Sequence, residues 1–222
     1  MTLYAVVPVK NLRASKRRLA AVFTPQERRQ LTLAMLRDVL TALKASIVDR
    51  ILVAGEDTQV QKVVEDCDAE YLSTAKIDLN LAIEEATHFC VKRDARSVLV
   101  LPADVPLLTD KDIDCIIQLA AEDHVIVLSP SINCGTNALY QSPPQLIPAC
   151  FGPKSFLEHI REAYGNGLSV RLYFSTGLAT DIDSAEDLRK LFEIENRTVC
   201  RRVLEEIIRK SPKAREFFAK KN

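Results

Sequence analysis

The run Val98-Leu99-Val100-Leu101-Pro102-Ala103-Asp104-Val105-Pro106 constrains the chain more than any other stretch. Its start, rich in Val and Leu, has the pattern of a strand covered on both faces. Pro102 has no N–H to give a ladder, so the strand is expected to end near it. Asp104 follows, held between two prolines. In open α/β sheets ligands bind at the carboxyl ends of central parallel strands. A carboxylate at that point is therefore a candidate site residue, and the other segments can be placed around it.

Leu3 to Val9 reads as the first strand and runs straight into Lys10-Asn11-Leu12-Arg13-Ala14-Ser15-Lys16-Arg17-Arg18-Leu19. A loop in this position is a usual place to hold phosphates. It contains no glycine, which excludes a Walker A loop and a Gly-x-Gly-x-x-Gly turn. It offers cations in place of backbone amides: Lys10, Lys16 and Arg18 could neutralise a triphosphate, the plain alternative being a solvated basic loop. Residues 10–30 carry seven Lys or Arg against one acid, Glu27, although the net charge of the whole chain is zero. That overall neutrality argues against nucleic acid and anionic membrane as partners.

Strands and helices then alternate. Thr24-Pro25-Gln26-Glu27 has the signature of a capped helix start, with proline at the first position, and the helix should run to about Lys44. Arg50 to Ala54 and Glu70 to Leu72 read as strands, with a helix to about Asp66 between them. Asp78 is the expected N-cap of a helix toward Lys92. Asn80 is then either an ordinary first-turn residue or a side chain near a nucleotide. Thr109-Asp110-Lys111-Asp112 caps a helix to about Ala121, and His124 to Ser129 is the next strand. This order predicts a mostly parallel sheet with right-handed crossovers.

After Ser129 the pattern changes. Gly135-Thr136-Asn137 leads into a short strand and suits a backbone that approaches a ligand closely. Phe151-Gly152-Pro153-Lys154-Ser155 begins a helix to about Tyr164. Gly152, Lys154 and Ser155 form a second candidate anion site, from N-terminal amides, a hydroxyl and an ammonium, unless they are a normal helix entry. Val170 to Phe174 is another strand. Asp181 and Asp183, two apart on an extended segment, point the same way. With Asp104 they make three carboxylates at strand ends, which suits Mg²⁺, an ion that takes a few oxygen ligands plus substrate phosphate oxygens. The alternative for Asp183 is a plain N-cap. Residues 185–210 read as helical, with Pro212 as an interruption. Adjacent Phe217 and Phe218 ask to be covered by the body of the protein or by a partner subunit, hence an expected homodimer. The chain is read as one domain over 1–196 with a helical extension over 197–222.

Six cysteines are present, none in a C-x-x-C pair. Cys90 and Cys115 fall on apolar helical faces, so neither a disulfide framework nor a zinc site is expected. With no signal-like segment and no run of about 18 apolar residues, a cytoplasmic protein is expected, away from membranes.

Taken together, Val7-Pro8-Val9-Lys10 with Lys16-Arg17-Arg18-Leu19, Leu101-Pro-Ala-Asp104-Val-Pro106, Gly135-Thr136-Asn137-Ala138-Leu139, Phe151-Gly152-x-x-Ser155-Phe156 and Asp181-Ile-Asp183-Ser-x-x-Asp-Leu188 resemble the 2-phospho-L-lactate guanylyltransferases, the CofC family. Some relatives in that family use phosphoenolpyruvate. The resemblance spans residues 1 to about 196. It implies the nucleotide-diphospho-sugar transferase (glycosyltransferase-A-like) fold, a three-layer α/β sandwich with a mostly parallel central sheet flanked by helices. It implies transfer of GMP from GTP to the phosphorylated acid, with release of pyrophosphate, in making coenzyme F-420. Carried over by motif, Asp104, Asp181 and Asp183 would hold Mg²⁺, and Thr136, Gly152 and Ser155 would bind the acid; Lys154 and Asn80 are counted as further substrate-binding candidates, Asn80 on the nucleotide side. Lys10, Lys16 and Arg18 would face the triphosphate. A phosphate nucleophile is already ionised at pH 7, so no general base is needed, and His88, His124 and His159 are read as structural. Two other classes stay open. One is a nucleotidyltransferase for a sugar phosphate or molybdenum cofactor, which the glycine-free first loop counts against. The other is a non-catalytic nucleotide-binding protein, which clustered carboxylates without a metal count against.

Overall fold

The computed structural model describes residues 2–9, 12, 16–75, 78–120 and 123–219. In chain order these form β1 (Thr2–Pro8), a single 3-10 turn (Arg17–Ala21), α1 (Pro25–Ala45), β2 (Arg50–Gly55), α2 (Thr58–Asp66), β3 (Glu70–Ser73), α3 (Leu79–Val91) and β4 (Ala95–Val100). There follow α4 (Asp110–Leu119), β5 (Val125–Pro130), β6 (Thr136–Ser142), α5 (Ser155–Gly165), β7 (Ser169–Leu172), α6 (Thr176–Ala179), α7 (Ala185–Glu193), α8 (Val199–Lys210) and α9 (Pro212–Ala219).

The seven strands lie in the order β3-β2-β1-β4-β6-β5-β7. Every neighbouring pair is parallel except the two that involve β6, which runs antiparallel to β4 and to β5. β1 and β4 sit side by side in the middle, with Tyr4 against Val98 and Val6 against Val100. Strand alternation divides the core into two layers. Ala5, Val7, Val53, Leu99 and Val127 face Leu36, Leu40 and Leu43 of α1, Val60 and Val64 of α2, and Ile113 and Ile116 of α4. Tyr4, Val6, Leu52, Val98 and Leu128 face Ile83, Ala86 and Cys90 of α3 and Ala163 of α5. The arrangement is the expected three-layer sandwich.

The local helix signals hold. Thr24 and Glu27 form a capping box, as do Thr109 with Asp112 and Ser184 with Asp187. Asp78 accepts the amides of Asn80 and Leu81 at 2.8 and 3.1 Å. Ser184, and not Asp183, is therefore the cap of α7, and the Asp183 carboxylate is left for other partners.

Several boundaries move. β4 covers Ala95–Val100, so the strand begins earlier than the apolar run suggests and ends before Leu101. β7 is Ser169–Leu172, ending before Phe174. Cys115, expected on an apolar face, is exposed. The helix expected over 185–210 is broken between α7 and α8. There Asn196 turns its side-chain amide back onto the carbonyls of Leu191 and Ile194, each at 2.9 Å, and its Oδ1 accepts from Thr198 Oγ1 at 2.7 Å. The new helix start is capped from a distance: Asp38 of α1 accepts the amides of Val199 and Cys200 at 2.6 and 2.8 Å.

The C-terminal helices pack on the start of the chain. Leu188, Leu191, Cys200, Leu204 and Ile207 share a buried cluster with Leu19, Phe23, Leu31 and Met35. Phe218 packs edge-on to Phe23 and Phe192, with ring centroids 6.4 and 5.6 Å apart, and Phe217 lies against Phe218 and under Arg189. The two phenylalanines are thus half-buried against the body of their own chain.

Candidate active site

The site is built at the carboxyl edge of β1 and β4. Beyond β4 the chain bends through Leu101 and Pro102 to Asp104, whose carbonyl accepts the amide of Ile182 at 2.9 Å. That bond ties the Asp104 turn to the segment before α7. Ile182 is buried in the C-terminal cluster, so Asp181 and Asp183 on either side of it turn away from that core.

Lys16 closes the group. It stands at the head of the 3-10 turn in a left-handed backbone conformation, φ 51° and ψ 45°. Its side chain is only 8% exposed, and its Nζ donates to Asp104 Oδ2 at 2.6 Å and to Asp183 Oδ1 at 2.8 Å. Burial disfavours the charge on Lys16, but Asp104 and then Asp183 outweigh it and hold the ammonium above its ordinary pKa. Arg18 stands farther out, 76% exposed, with Nη1 3.8 Å from Asp183 Oδ2. Burial, and then the negative charges of Asp104 and Asp183, push the Asp181 carboxyl up, while a hydrogen bond from Asn137 opposes this. Asn137 also donates to the carbonyl of Leu178 at 2.8 Å, which fastens β6 to α6. Lys10 lies outside the described residues.

Among the described residues no group of three or more acidic, His or Cys side chains is arranged to hold a metal ion by itself. The donor set nevertheless fits Mg²⁺ in its substrate-bridging mode, which needs one or two carboxylates plus phosphate oxygens. Asp104 and Asp183 share one buried ammonium, and the upward push on Asp181 from Asp104 is repulsion that a cation would relieve.

The second candidate cluster lies at the start of α5. Gly152, at φ +149°, takes a backbone that other residues rarely adopt, and a Cβ there would meet nothing within 4 Å. Gly152, Pro153 and Lys154 are exposed, with Lys154 left-handed at φ 61°. Beneath this turn Ser155 and Thr136 are buried, and their hydroxyls lie 3.1 Å apart. The amide part of the sequence expectation is not met. The amides of Ser155, Phe156 and Leu157 point to the carbonyls of Gly152, Cys134 and Lys154. This helix start offers its dipole, Lys154 and the hydroxyl pair.

Asn80 serves this second cluster. Its Oδ1 accepts the amide of Phe151 at 2.7 Å and its Nδ2 donates to the Phe151 carbonyl at 3.1 Å, so both amide atoms hold the main chain before Gly152. Two further contributors escaped the sequence reading. Asn137 links Asp181 to β6, and its only signal was membership of the Gly135-Thr136-Asn137 motif. His159 bonds to Thr136 and to the Cys150 amide, and one buried histidine on a helix carries no signal of that role.

The model of the family described as guanylyl transferase CofC-like matches residues 3–215. A phosphoenolpyruvate guanylyltransferase of Rubrobacter xylanophilus is 40% identical over 192 residues, covering 86% of this chain and 94% of that protein. A 2-phospho-L-lactate guanylyltransferase of Methanothermobacter thermautotrophicus is 37% identical over 188 residues, covering 84% of this chain and 82% of that protein. In fold the chain is similar to a nucleotide-diphospho-sugar transferase from Desulfovibrio desulfuricans G20, with a TM-score of 0.79 at 15% identity over 98% of this chain and 99% of that one. With a family match along nearly its whole length and relatives at these identities, the chain belongs to the CofC-like guanylyltransferase family.

Proposed function

We propose that the protein transfers GMP from GTP to a phosphorylated three-carbon acid, 2-phospho-L-lactate or phosphoenolpyruvate, a step in the biosynthesis of coenzyme F-420. A phosphate oxygen of the acid attacks the α-phosphorus of GTP. The new bond is a phosphoanhydride, the α–β bond breaks, and pyrophosphate leaves with the electron pair. Little covalent work falls to the protein, so catalysis is positioning and charge neutralisation. The observation that carries this reading is the Lys16–Asp104–Asp183 cluster with Asp181 beside it, at the sheet edge where α/β folds bind nucleotides.

Asp104, Asp181 and Asp183 would hold Mg²⁺, which when bound neutralises phosphate charge and orients the oxygens around the reacting phosphorus. Lys16 and Arg18, with Lys10, neutralise the triphosphate and the departing pyrophosphate. The exposed Gly152–Lys154 turn receives the acid, with the Lys154 ammonium against its charge and the Thr136 and Ser155 hydroxyls beneath. Asn80 keeps the turn in place. Six free thiols support a reducing, cytoplasmic setting. Guanine as the base and the identity of the acid are supported by the names of the relatives.

The test is pyrophosphate release with each nucleoside triphosphate and Mg²⁺, offered either acid, beside Asp104→Asn. Release with GTP and one of these acids, lost in the variant, is the expected result. GTP binding without release from either acid would overturn the proposal.

A further inference from the structure

His159 is fully buried on α5, and burial pushes its pKa down to about 4, so the ring is neutral near pH 7. A neutral imidazole has one donor and one acceptor nitrogen. Nε2 lies 3.0 Å from the amide of Cys150, a group that can only donate. Nε2 is therefore the acceptor, and the proton is on Nδ1, which donates to Thr136 Oγ1 at 2.9 Å. Main-chain geometry selects the tautomer.

The consequence appears in a count of hydrogens. Two contacts join the three groups: His159 to Thr136, and Thr136 to Ser155 at 3.1 Å. The available hydrogens are the Nδ1–H and the two hydroxyl protons. Two of the three are used, and one is left to donate outward. With the other tautomer, only the two hydroxyl protons would be available. Both would be used, and the seam would present lone pairs, which repel an anion. The same ring also packs edge-on to Phe151, with centroids 5.0 Å apart, and Phe151 is the residue whose main chain Asn80 holds. A single side chain thus touches the chain just before the Gly152–Lys154 turn and the Thr136 hydroxyl beneath it.

We propose that His159 is a positioning residue for the acceptor acid: by holding the Nδ1–H tautomer between Cys150 and Thr136, it makes the Thr136–Ser155 pair a net hydrogen donor toward the bound anion and fixes the turn above it. This rests on the acid binding at that turn, as in the proposed function.

The test separates the two nitrogens. Asparagine at 159 places an amide near the Nδ1 position and can still donate to Thr136. Glutamine places one near Nε2 and can satisfy Cys150 only. The expected result is a rise of about tenfold in KM for the acid in His159→Gln, the scale of one hydrogen bond. KM for GTP should hardly change, and His159→Asn should recover most of the loss. Equal KM for the acid in both variants, or a rise in KM for GTP of the same size, would overturn the inference. An independent readout is ¹⁵N NMR of the wild-type histidines at neutral pH, where His159 should show a protonated Nδ1 and a bare Nε2. The opposite tautomer would overturn the inference even if neither variant folds. Wild-type protein that turns over neither acid would instead refute the functional reading, and the proposed role with it, whatever the NMR shows.

Discussion

Replacing Lys16 by methionine keeps the apolar stem and removes the charge, which isolates the electrostatics of the site. In the native protein the ammonium is nearly enclosed and gives charge-assisted bonds of 2.6 and 2.8 Å to Asp104 and Asp183. Removing one partner from a fully buried ion pair costs about 3–5 kcal/mol, because the remaining charge has no compensation. Here the two carboxylates are 29% and 42% exposed, so water takes back part of that cost. The expected loss without divalent ions is about 2 kcal/mol, between the buried case and the exposed one. Mg²⁺ should then act differently on the two proteins. In the variant it enters a cluster of unneutralised carboxylates, whereas in the native protein it competes with the ammonium for the same oxygens. By mass action, stabilisation grows with the ratio of ion concentration to Kd, so millimolar Mg²⁺ should restore much of the loss in the variant and add little to the native protein. Urea unfolding in chelator and in Mg²⁺ measures both terms, with an unchanged slope showing that only stability moved. A loss of stability that is the same in chelator and in Mg²⁺ would refute the reasoning, as would a loss below about 0.5 kcal/mol, the scale of a surface pair.

Two further predictions concern stability. A β-carbon added at Gly177 would stand 2.5 Å from the carbonyl oxygen of Leu107, so Gly177→Ala forces α6 away from the chain that follows Asp104. It should cost about 1–3 kcal/mol, read as a lower melting temperature, and an unchanged melting temperature would disprove the close approach. The pH dependence should contain two opposed parts. Burial pushes Asp38 up to about 6 against the pull of the Cys200 and Val199 amides and Arg202, and burial pushes His159 down to about 4. For Asp38 the folded state binds more protons between the ordinary carboxylate pKa and about 6, so its contribution falls as pH rises through that window. For His159 the unfolded chain binds more protons between about 4 and the ordinary histidine pKa, so its contribution rises with pH there. Relative to wild type, Asp38→Asn should therefore gain stability from about pH 4 to 6 and His159→Asn should lose it, each by about 2–3 kcal/mol, measured by urea unfolding across that range. Parallel profiles for the two variants would show that these groups do not titrate as their burial requires.

What could be read from the sequence follows the range of the physics involved. Thr24 with Glu27, Asp78 with Asn80, Thr109 with Asp112 and Ser184 with Asp187 are bonds between residues at most four apart, and a local pattern is enough to find them. The alternation that sorts Ala5 and Val7 from Tyr4 and Val6 is equally local, so the sheet and its two covering layers were accessible. Residue types at the site were accessible too, because a carboxylate after a buried strand and a glycine-free basic loop are visible in a linear string. The connections between them were not. Lys16 finds Asp104 and Asp183 across 88 and 167 residues. Asn80 reaches Phe151 across 71 residues, and Asp38 caps α8 across 161. Lys16 and Asn80 each had an adequate local explanation, as a loop cation and a first-turn residue, and that sufficiency concealed their distant partners. The break between α7 and α8 fails to show for the complementary reason. Residues 185–210 have good helical periodicity throughout, and what overrides it is the joint demand of Asn196 on the carbonyls behind it and of Asp38 on the amides ahead. Polar groups that bridge distant segments are expensive to bury unless every partner is in place. Lys16, Asn80 and His159 carry that burden together around the two clusters, and so the substitutions that separate one bond from another, more than those that delete a side chain outright, will show how this site is held for catalysis.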